Sequence, residues 1–328
     1  KPTAPPILRR FGFRPTLIVV TLLTAAIMAS FSTFTVSTPH WLILALLLAG
    51  TPLAAQTTGD AGTNAIPTSL DTTKPDVVKL AVISGITAGA FIYGHVVLSH
   101  LWWKGTRSPF HFEWDHDWSY ALGADKLGHF FFPYLASDIC RQALIWSDVD
   151  TTTSIWVGSG LGLGYQTYIE VRDGFSKEWG FSWGDFAADV LGAAYPVARH
   201  YVPALRHFNF KMSFYPSAGY RAGNYHAIID DYESAYHWLS IDLHGLLPGS
   251  MRDNIPALFN VAIGHSVRNL DHLGGGNHEF YLSLDWNLEA LPGDGAFWKF
   301  IKHNLNFYHL PAPAVKIYPG LVWYGIHF

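Results

Sequence analysis

The sequence predicts an α+β protein: a bundle of about four apolar helices followed by an antiparallel β-sheet with one additional amphipathic helix. Two observations carry that prediction. Long apolar stretches with helical spacing fill residues 77–205, and from about residue 206 the spacing turns to strict alternation. Helices and strands segregated along one chain are the mark of an α+β arrangement, in which helices cover one face of an antiparallel sheet.

The composition narrows the setting. In 328 residues, 49% are hydrophobic and only 14% charged, against roughly 25% charged in ordinary soluble domains. Aromatic residues make up 16%, a bias expected where amphipathic rings sit at a membrane–water boundary. The formal net charge is −4 with no run of Lys or Arg, so there is no electrostatic footprint for nucleic acid and that partner class is excluded. The single cysteine, Cys140, excludes an internal disulfide framework and a cysteine metal cluster, and its place in an apolar helix reads as a small buried hydrophobe.

Residues 1–55 read as an export signal or possible membrane anchor. "WLILALLLAGTPLAA" (41–55) has the apolar core and small-residue end of a secretory signal. Upstream, "PTLIVVTLLTAAIMASF" (15–31) follows Arg9, Arg10 and Arg14, the positive flank of a signal or a cytoplasmic anchor. Met28 lies near the end of the first run and ahead of the second, so a start there would make residues 1–27 an upstream extension; the alternative is a genuine anchor. Residues 56–76 are polar and rich in Thr, Gly and Pro, a linker.

The helical domain is expected over 77–205. From Leu80 to Trp103 no Asp, Glu, Lys or Arg interrupts the chain, which is long enough to span a bilayer; the alternative is a fully buried helix of a soluble bundle. Three further helices are expected at about 119–147, 154–172 and 183–201. The "GSGLGLG" run (158–164) repeats glycine at i and i+4, which on a helix makes a close-packing face. A β-rich part fills 206–328. The clearest strand is "FYLSLDWNL" (280–288), with Phe280, Leu282, Leu284 and Trp286 on one face and Tyr281, Ser283, Asp285 and Asn287 on the other. Noisier strands are expected at 208–215, 234–246, 257–268 and 314–328, with the amphipathic helix at 295–308. Five strands are too few to close a transmembrane barrel, which needs about eight.

The candidate site residues lie in the helical part. In "GADKLGHFFFPYLASD" (123–138), Asp125 and His129 are four apart and share a helix face, with Lys126 beside them. A second cluster, in "YIEVRDGFSKEWGFSWGDFAADVLG" (168–192), holds Glu170, Arg172, Asp173, Lys177, Glu178, Asp185 and Asp189; Ser182 precedes Asp185 at N-cap spacing, and Asp185 and Asp189 stack on one face. If the two helices face each other, Asp125, Lys126, His129, Glu170 and Asp185 are candidates for acid–base work, and His129, Glu170 and Asp185 offer one imidazole and two oxygens to a divalent metal. The competing and favoured reading is a sealed lock, with Lys126 and Arg172 neutralising the carboxylates, because an unpaired buried charge is costly; a proton-relay role is a third. In "HFEWDHDW" (111–118), His111, Glu113, Asp115 and Asp117 share one side if the stretch is extended, or serve as loop and capping groups.

"WSYALGADKLGHFFFPY" (118–134), the 168–192 stretch, "KMSFYPS" (211–217) and "YESAYHWLS" (232–240) together resemble an uncharacterised bacterial domain family of predicted periplasmic lipoproteins, and the Asp-Lys-x-x-His motif is distantly similar to VanZ-like membrane proteins. The resemblance implies an envelope location and brings no established activity. Its signature falls on Asp125, Lys126, His129, Glu170, Asp173, Gly174, Ser176, Trp179, Gly180, Ser182, Asp185 and Gly192. Two departures stand out: no cysteine follows either apolar run to take a lipid, and Asp189 stands where relatives are expected to carry an amide.

These readings lead to a bacterial cell-envelope protein on the periplasmic side, a non-catalytic structural or binding module held at a membrane by apolar helices and an aromatic-rich sheet. Membrane lipid is the expected partner, and no cofactor is needed. The alternative is a metal-assisted or acid–base hydrolase acting on an envelope lipid or glycan, with His129 as base or ligand and Asp125 orienting it.

Overall fold

The structure, a computed structural model, describes residues 74–105, 107–271 and 274–328. Residues 1–73, where the sequence leads one to expect the export segments and most of the linker, lie outside the described residues. Helix α1 runs Val77–Leu101, opened by Asp76, whose carboxylate accepts hydrogen bonds from the Val78 and Lys79 amides. Only one side of it is packed: Ile83 meets Cys140 and Leu161, and Leu98 meets Ala136, Tyr165 and Ile169. Val78, Val82, Ile86, Ile92 and Val96 stay exposed, so the described residues leave one side of this helix uncovered. At 25 residues the helix is about 37 Å long, and by length and composition it can cross a membrane.

Three helices then form a bundle: α2 (Ala124–Trp146), α3 (Thr151–Asp173) and α4 (Trp183–Tyr201). A two-residue parallel pair, β1 (Phe112–Glu113) with β2 (Phe181–Ser182), ties the segment before α2 to the start of α4. Helix α2 starts five residues later than its apolar pattern suggests. Ala121, Leu122 and Gly123 have φ of 45°, 55° and 77°, a left-handed run incompatible with the helix interior, and it sets Asp125 in the first turn. The α2–α3 crossing is close because a Cβ on Gly158 would stand 2.5 Å from the Ser137 carbonyl oxygen, and one on Gly162 2.7 Å from that of Pro133. Only this half of the glycine run packs; Gly160 and Gly164 face open space.

The rest of the chain builds a six-stranded antiparallel sheet in sequential order: β3 (Phe208–Phe214), β4 (Ala235–Ile241), β5 (Phe259–Arg268), β6 (Asn277–Trp286), β7 (Ala312–Tyr318) and β8 (Val322–His327). Helix α5 (Ala296–Leu305) is the expected amphipathic helix, inserted before β7. The expected single strand at 314–328 is two, because Pro319 and Gly320 turn the chain. The architecture is α+β, as the sequence predicts.

One face of β3 and β4 packs on α2, where Met212 and Ala235 join Phe131, Tyr134 and Leu135. The other face is buried because the sheet curls over it. Met212 forms a parallel bridge with Tyr308, just before β7, and Tyr215 stacks on Phe328 at 5.4 Å between ring centres, so the two edges nearly meet. Inside the curl, Tyr236, Trp238, Ala262 and Tyr281 form a cluster with Tyr324 against it. The Lys211–Asp285 ion pair, 2.8 Å long, is fully buried beside them. Along β6 the polar set Glu279, Tyr281, Ser283 and Asp285 therefore faces in, while Phe280, Leu282 and Leu284 face out at 39%, 47% and 45% exposure. This inverts the ordinary soluble rule of apolar in, polar out.

Candidate functional site

A cavity of about 570 Å³ lies between the end of α1, the three-helix bundle and the β3–β4 end of the sheet. Its walls are apolar toward α1 (Leu98, Leu101, Trp102) and α3 (Ile169), and its floor carries Asp125, Lys126, His129, Glu170 and Asp185. These five predicted residues come together from α2, α3 and α4. The cluster borders this cavity, while Asp125, Lys126, Glu170 and Asp185 are themselves buried.

Two subsets can be told apart. Lys126 Nζ lies 2.7 Å from Asp185 Oδ1 and 3.0 Å from both Asp117 Oδ1 and Asp125 Oδ2. Asp117 in turn accepts from the Ser182 hydroxyl (2.5 Å) and the Gly184 amide (2.9 Å), and Ser182 Oγ accepts from the Asp185 amide. This is a lock: it joins the loop before α2, the first turn of α2 and the capped start of α4. Arg172 has no part in it; its guanidinium lies over the Trp103 ring at 4.6 Å.

His129 is the centre of the second subset. Its Nδ1 is 3.1 Å from Asp189 Oδ1 and 3.7 Å from Glu170 Oε1, while its Nε2 is 3.7 Å from Asp125 Oδ1 and 3.9 Å from Asp185 Oδ1. The hydrogen bond that orients the ring is therefore with Asp189, not Asp125; Gln166 steadies Asp189 by donating to the same oxygen at 3.0 Å. Asp125 is engaged instead by Lys126 and by the Tyr232 hydroxyl at 2.6 Å.

Burial alone would lower the His129 pKa, yet the surrounding Asp185, Asp189 and Asp125 carboxylates outweigh it and hold the imidazole charged well above its ordinary range. Lys126 is likewise kept cationic by Asp125 and Asp185 despite burial. Against these two cations stand five carboxyl groups, Asp117, Asp125, Glu170, Asp185 and Asp189. Full ionisation would leave an excess of negative charge in a poorly solvated place, so some must hold protons. Burial raises the pKa of Glu170, Asp185 and Asp189 even with His129 close by. Asp125 goes the other way: burial opposes ionisation, but His129 and Lys126 win and depress it. Asp173, whose carboxylate accepts from Trp103 Nε1 at 2.6 Å, is pushed up to about 7 by burial.

Two triads offer ligand atoms mutually within 4.8 Å: Asp125, His129 and Asp185, and His129, Glu170 and Asp189. The set His129, Glu170 and Asp185 read from the sequence straddles both, since Glu170 approaches Nδ1 and Asp185 approaches Nε2. The Asp125–Asp185 side already has the Lys126 ammonium, whereas Asp189 Oδ2 is buried with no hydrogen-bond partner. The donor set that fits a cation is consequently His129, Glu170 and Asp189.

Some members escaped the sequence reading. Of the 111–117 side, only Asp117 reaches the cluster; Glu113 lines the cavity and accepts from the Asp115 and His116 amides. Gln166 could have been found four residues before Glu170 on one helix face. Tyr232 opens the 232–240 segment of the resemblance, but it lies 107 positions from Asp125 and no local spacing joins the two. The signature glycines have steric causes: a Cβ on Gly192 would stand 2.0 Å from the Phe130 carbonyl oxygen, and one on Gly180 2.7 Å from the Glu113 amide.

Fold and site define a helical bundle with an acidic, histidine-centred cavity beside a curled sheet. Residues 113–200 match the family model described as "Predicted periplasmic lipoprotein (DUF2279)", the family whose motifs the sequence resembles. The match covers roughly a quarter of the chain and includes the cavity's predicted site residues; the segments 211–217 and 232–240 lie outside it, and the VanZ-like likeness is not part of it. It supports a periplasmic, envelope location. Nothing among the curated proteins or the solved structures matches the chain.

Proposed function

We propose that this envelope protein is a membrane-associated acid–base hydrolase, acting from the cavity on an envelope lipid or glycan. The observation that supports it is the convergence of His129 with four carboxyl groups within 3.9 Å, on the floor of a cavity large enough for a small ligand or the polar end of a larger one. Acid–base chemistry requires neighbouring carboxyl groups that lose their protons at different pH, and burial pushes Glu170 up to about 9 but Asp185 only to about 7. Glu170, protonated, is the proton donor to a leaving-group oxygen. Asp185, with its pKa raised by burial, is the base that takes a proton from the attacking water. His129, held cationic, stabilises developing negative charge rather than acting as a base, and Asp189 and Gln166 orient it. Lys126 and Asp117 hold the frame.

A second reading is favoured by one observation, the orphaned Asp189 Oδ2. Under it, His129, Glu170 and Asp189 would hold a divalent cation, which would supply Lewis-acid polarisation to the scissile group. The experiment incubates the purified full chain with envelope lipid and glycan extracts and follows products by mass spectrometry, beside Glu170→Gln, Asp185→Asn and His129→Ala variants and metal analysis. Products with wild type that vanish in Glu170→Gln support the hydrolase. Stoichiometric metal lost in His129→Ala favours the second reading. A folded wild type that yields no product and no metal leaves a non-catalytic module.

A further inference from the structure

We propose that the outward face of β5–β8 is seated in the hydrocarbon of one phospholipid leaflet. The argument starts from where the sheet puts its charges. Lys211, Asp285, Glu279 and Lys316 all point into the curl and pair there, Lys211 with Asp285 at 2.8 Å and Lys316 with Glu279 at 2.8 Å. The opposite face carries a continuous cross-strand row, Phe210, Leu239, Ile263, Leu282, Val315 and Trp323, each directly opposite the next. No ionisable side chain interrupts that row. At the β3–β4 end the face packs on α2; farther along it is open, with Ile263 at 48% and Trp323 at 76% exposure.

A sheet facing water would place its charges outside and its leucines inside. Here the sequence has used the interior for polar pairs and given the exterior to apolar groups, the pattern of strands that face lipid. The complementary medium is one without charge. Its depth also fits: from Phe280 to Trp286 the outward apolar stretch of β6 is about 20 Å long at ~3.3 Å per residue, close to one leaflet of a hydrocarbon core about 30 Å thick when the strand is tilted. His265 and His278 lie at one end of this stretch and Trp286 at the other, side chains with a polar atom of the kind that suits a membrane boundary. A curled sheet of six strands, packed on α2 at its β3–β4 end, cannot span a bilayer alone, so the contact is with one leaflet. The inference is independent of the cavity and its chemistry.

The test uses the full chain in vesicles of phosphatidylethanolamine and phosphatidylglycerol. Leu282→Cys and, separately, Ile263→Cys are made on a Cys140→Ala background and labelled with an environment-sensitive fluorophore. Asp294→Cys, at a side chain 96% exposed, is the aqueous reference. We expect blue-shifted emission at both sheet positions, most of it quenched by lipid carrying a mid-chain quencher, and water-like, unquenched emission at Asp294. Water-like emission at Leu282 and Ile263 in vesicle-bound, folded protein overturns the proposal. So does blue-shifted emission that the lipid quencher leaves untouched, which means a protein cover. Thiol cross-linking of two Leu282→Cys chains then identifies a second copy as that cover, and its failure points to residues 1–73.

Discussion

Replacing Lys126 with Met tests the lock at its centre. The ammonium is about as long as the thioether that replaces it, so packing changes little while the charge disappears. Three carboxyl groups, Asp117, Asp125 and Asp185, lose a partner at 2.7 to 3.0 Å, and the side chains involved are only 8 to 12% exposed, so water screens them poorly. Removing one partner from a buried ion pair costs about 3–5 kcal/mol, which for a domain of 150–250 residues is a fall in Tm of roughly 6–20 °C. The loss must also depend on pH. Without Lys126, the carboxyl groups titrate higher in the folded protein than in the unfolded chain, so the folded state binds more protons and stability rises as pH falls. Thermal unfolding followed by circular dichroism at pH 7.5 and pH 5 reads both effects. A variant within about 2 °C of wild type at pH 7.5 would refute the lock; a large loss of equal size at both pH values would refute its electrostatic basis.

Three other outcomes follow from the same geometry. Glu170→Gln keeps the shape of a carboxyl that burial holds protonated; since a raised pKa means stability is full below the unfolded value and drains away as pH rises toward the folded one, the variant should match or exceed wild type in Tm at pH 8 while losing product formation. Gly192→Ala drives a methyl to 2.0 Å from the Phe130 carbonyl oxygen and should cost at least about 1–3 kcal/mol in urea unfolding, whereas Gly160→Ala, with nothing within 4 Å, should be neutral or gain up to about 1 kcal/mol of helix propensity. Lys211→Met alone strands the buried Asp285 and should destabilise by about 3–5 kcal/mol, and the double variant with Asp285→Leu should recover most of that in a double-mutant cycle.

Local features of the chain were legible where the physics is local. Ser182 stands at N-cap spacing before Asp185 and caps α4, because an N-cap needs only a short side chain and a free amide nearby. Asp125 with His129, and Asp185 with Asp189, share faces because a helix repeats every 3.6 residues. The delayed start of α2 was hidden, since Ala121 and Leu122 have no reason of their own to adopt positive φ; surrounding contacts impose it. The glycine run was half legible: four glycines fit a close-packing pattern, but which pair meets α2 depends on the rotation of α3 about its axis. Asp189, weakened in the sequence reading by its departure from the family pattern, proved the ring's hydrogen-bond partner, and Asp117 joined the lock from a loop whose path no periodicity records.

The sequence by itself determined the class of the fold, the places of its long helices and most of its strands, and the residue types from which a polar site could be built. These follow from periodicity, capping and composition, which act over a few residues or over the whole chain at once. Only the tertiary structure decided that Lys126 pairs with Asp117, Asp125 and Asp185 while His129 meets Asp189, that a cavity borders both groups, and that β6 turns its leucines outward. Alternation shows that a strand has two unlike faces but carries no sign, and a shared helix face does not name its neighbour. Those choices are made by contacts far apart in sequence: Met212 bridging to Tyr308, Trp238 lying over Gly264, and Lys126 reaching Asp185 across the bundle.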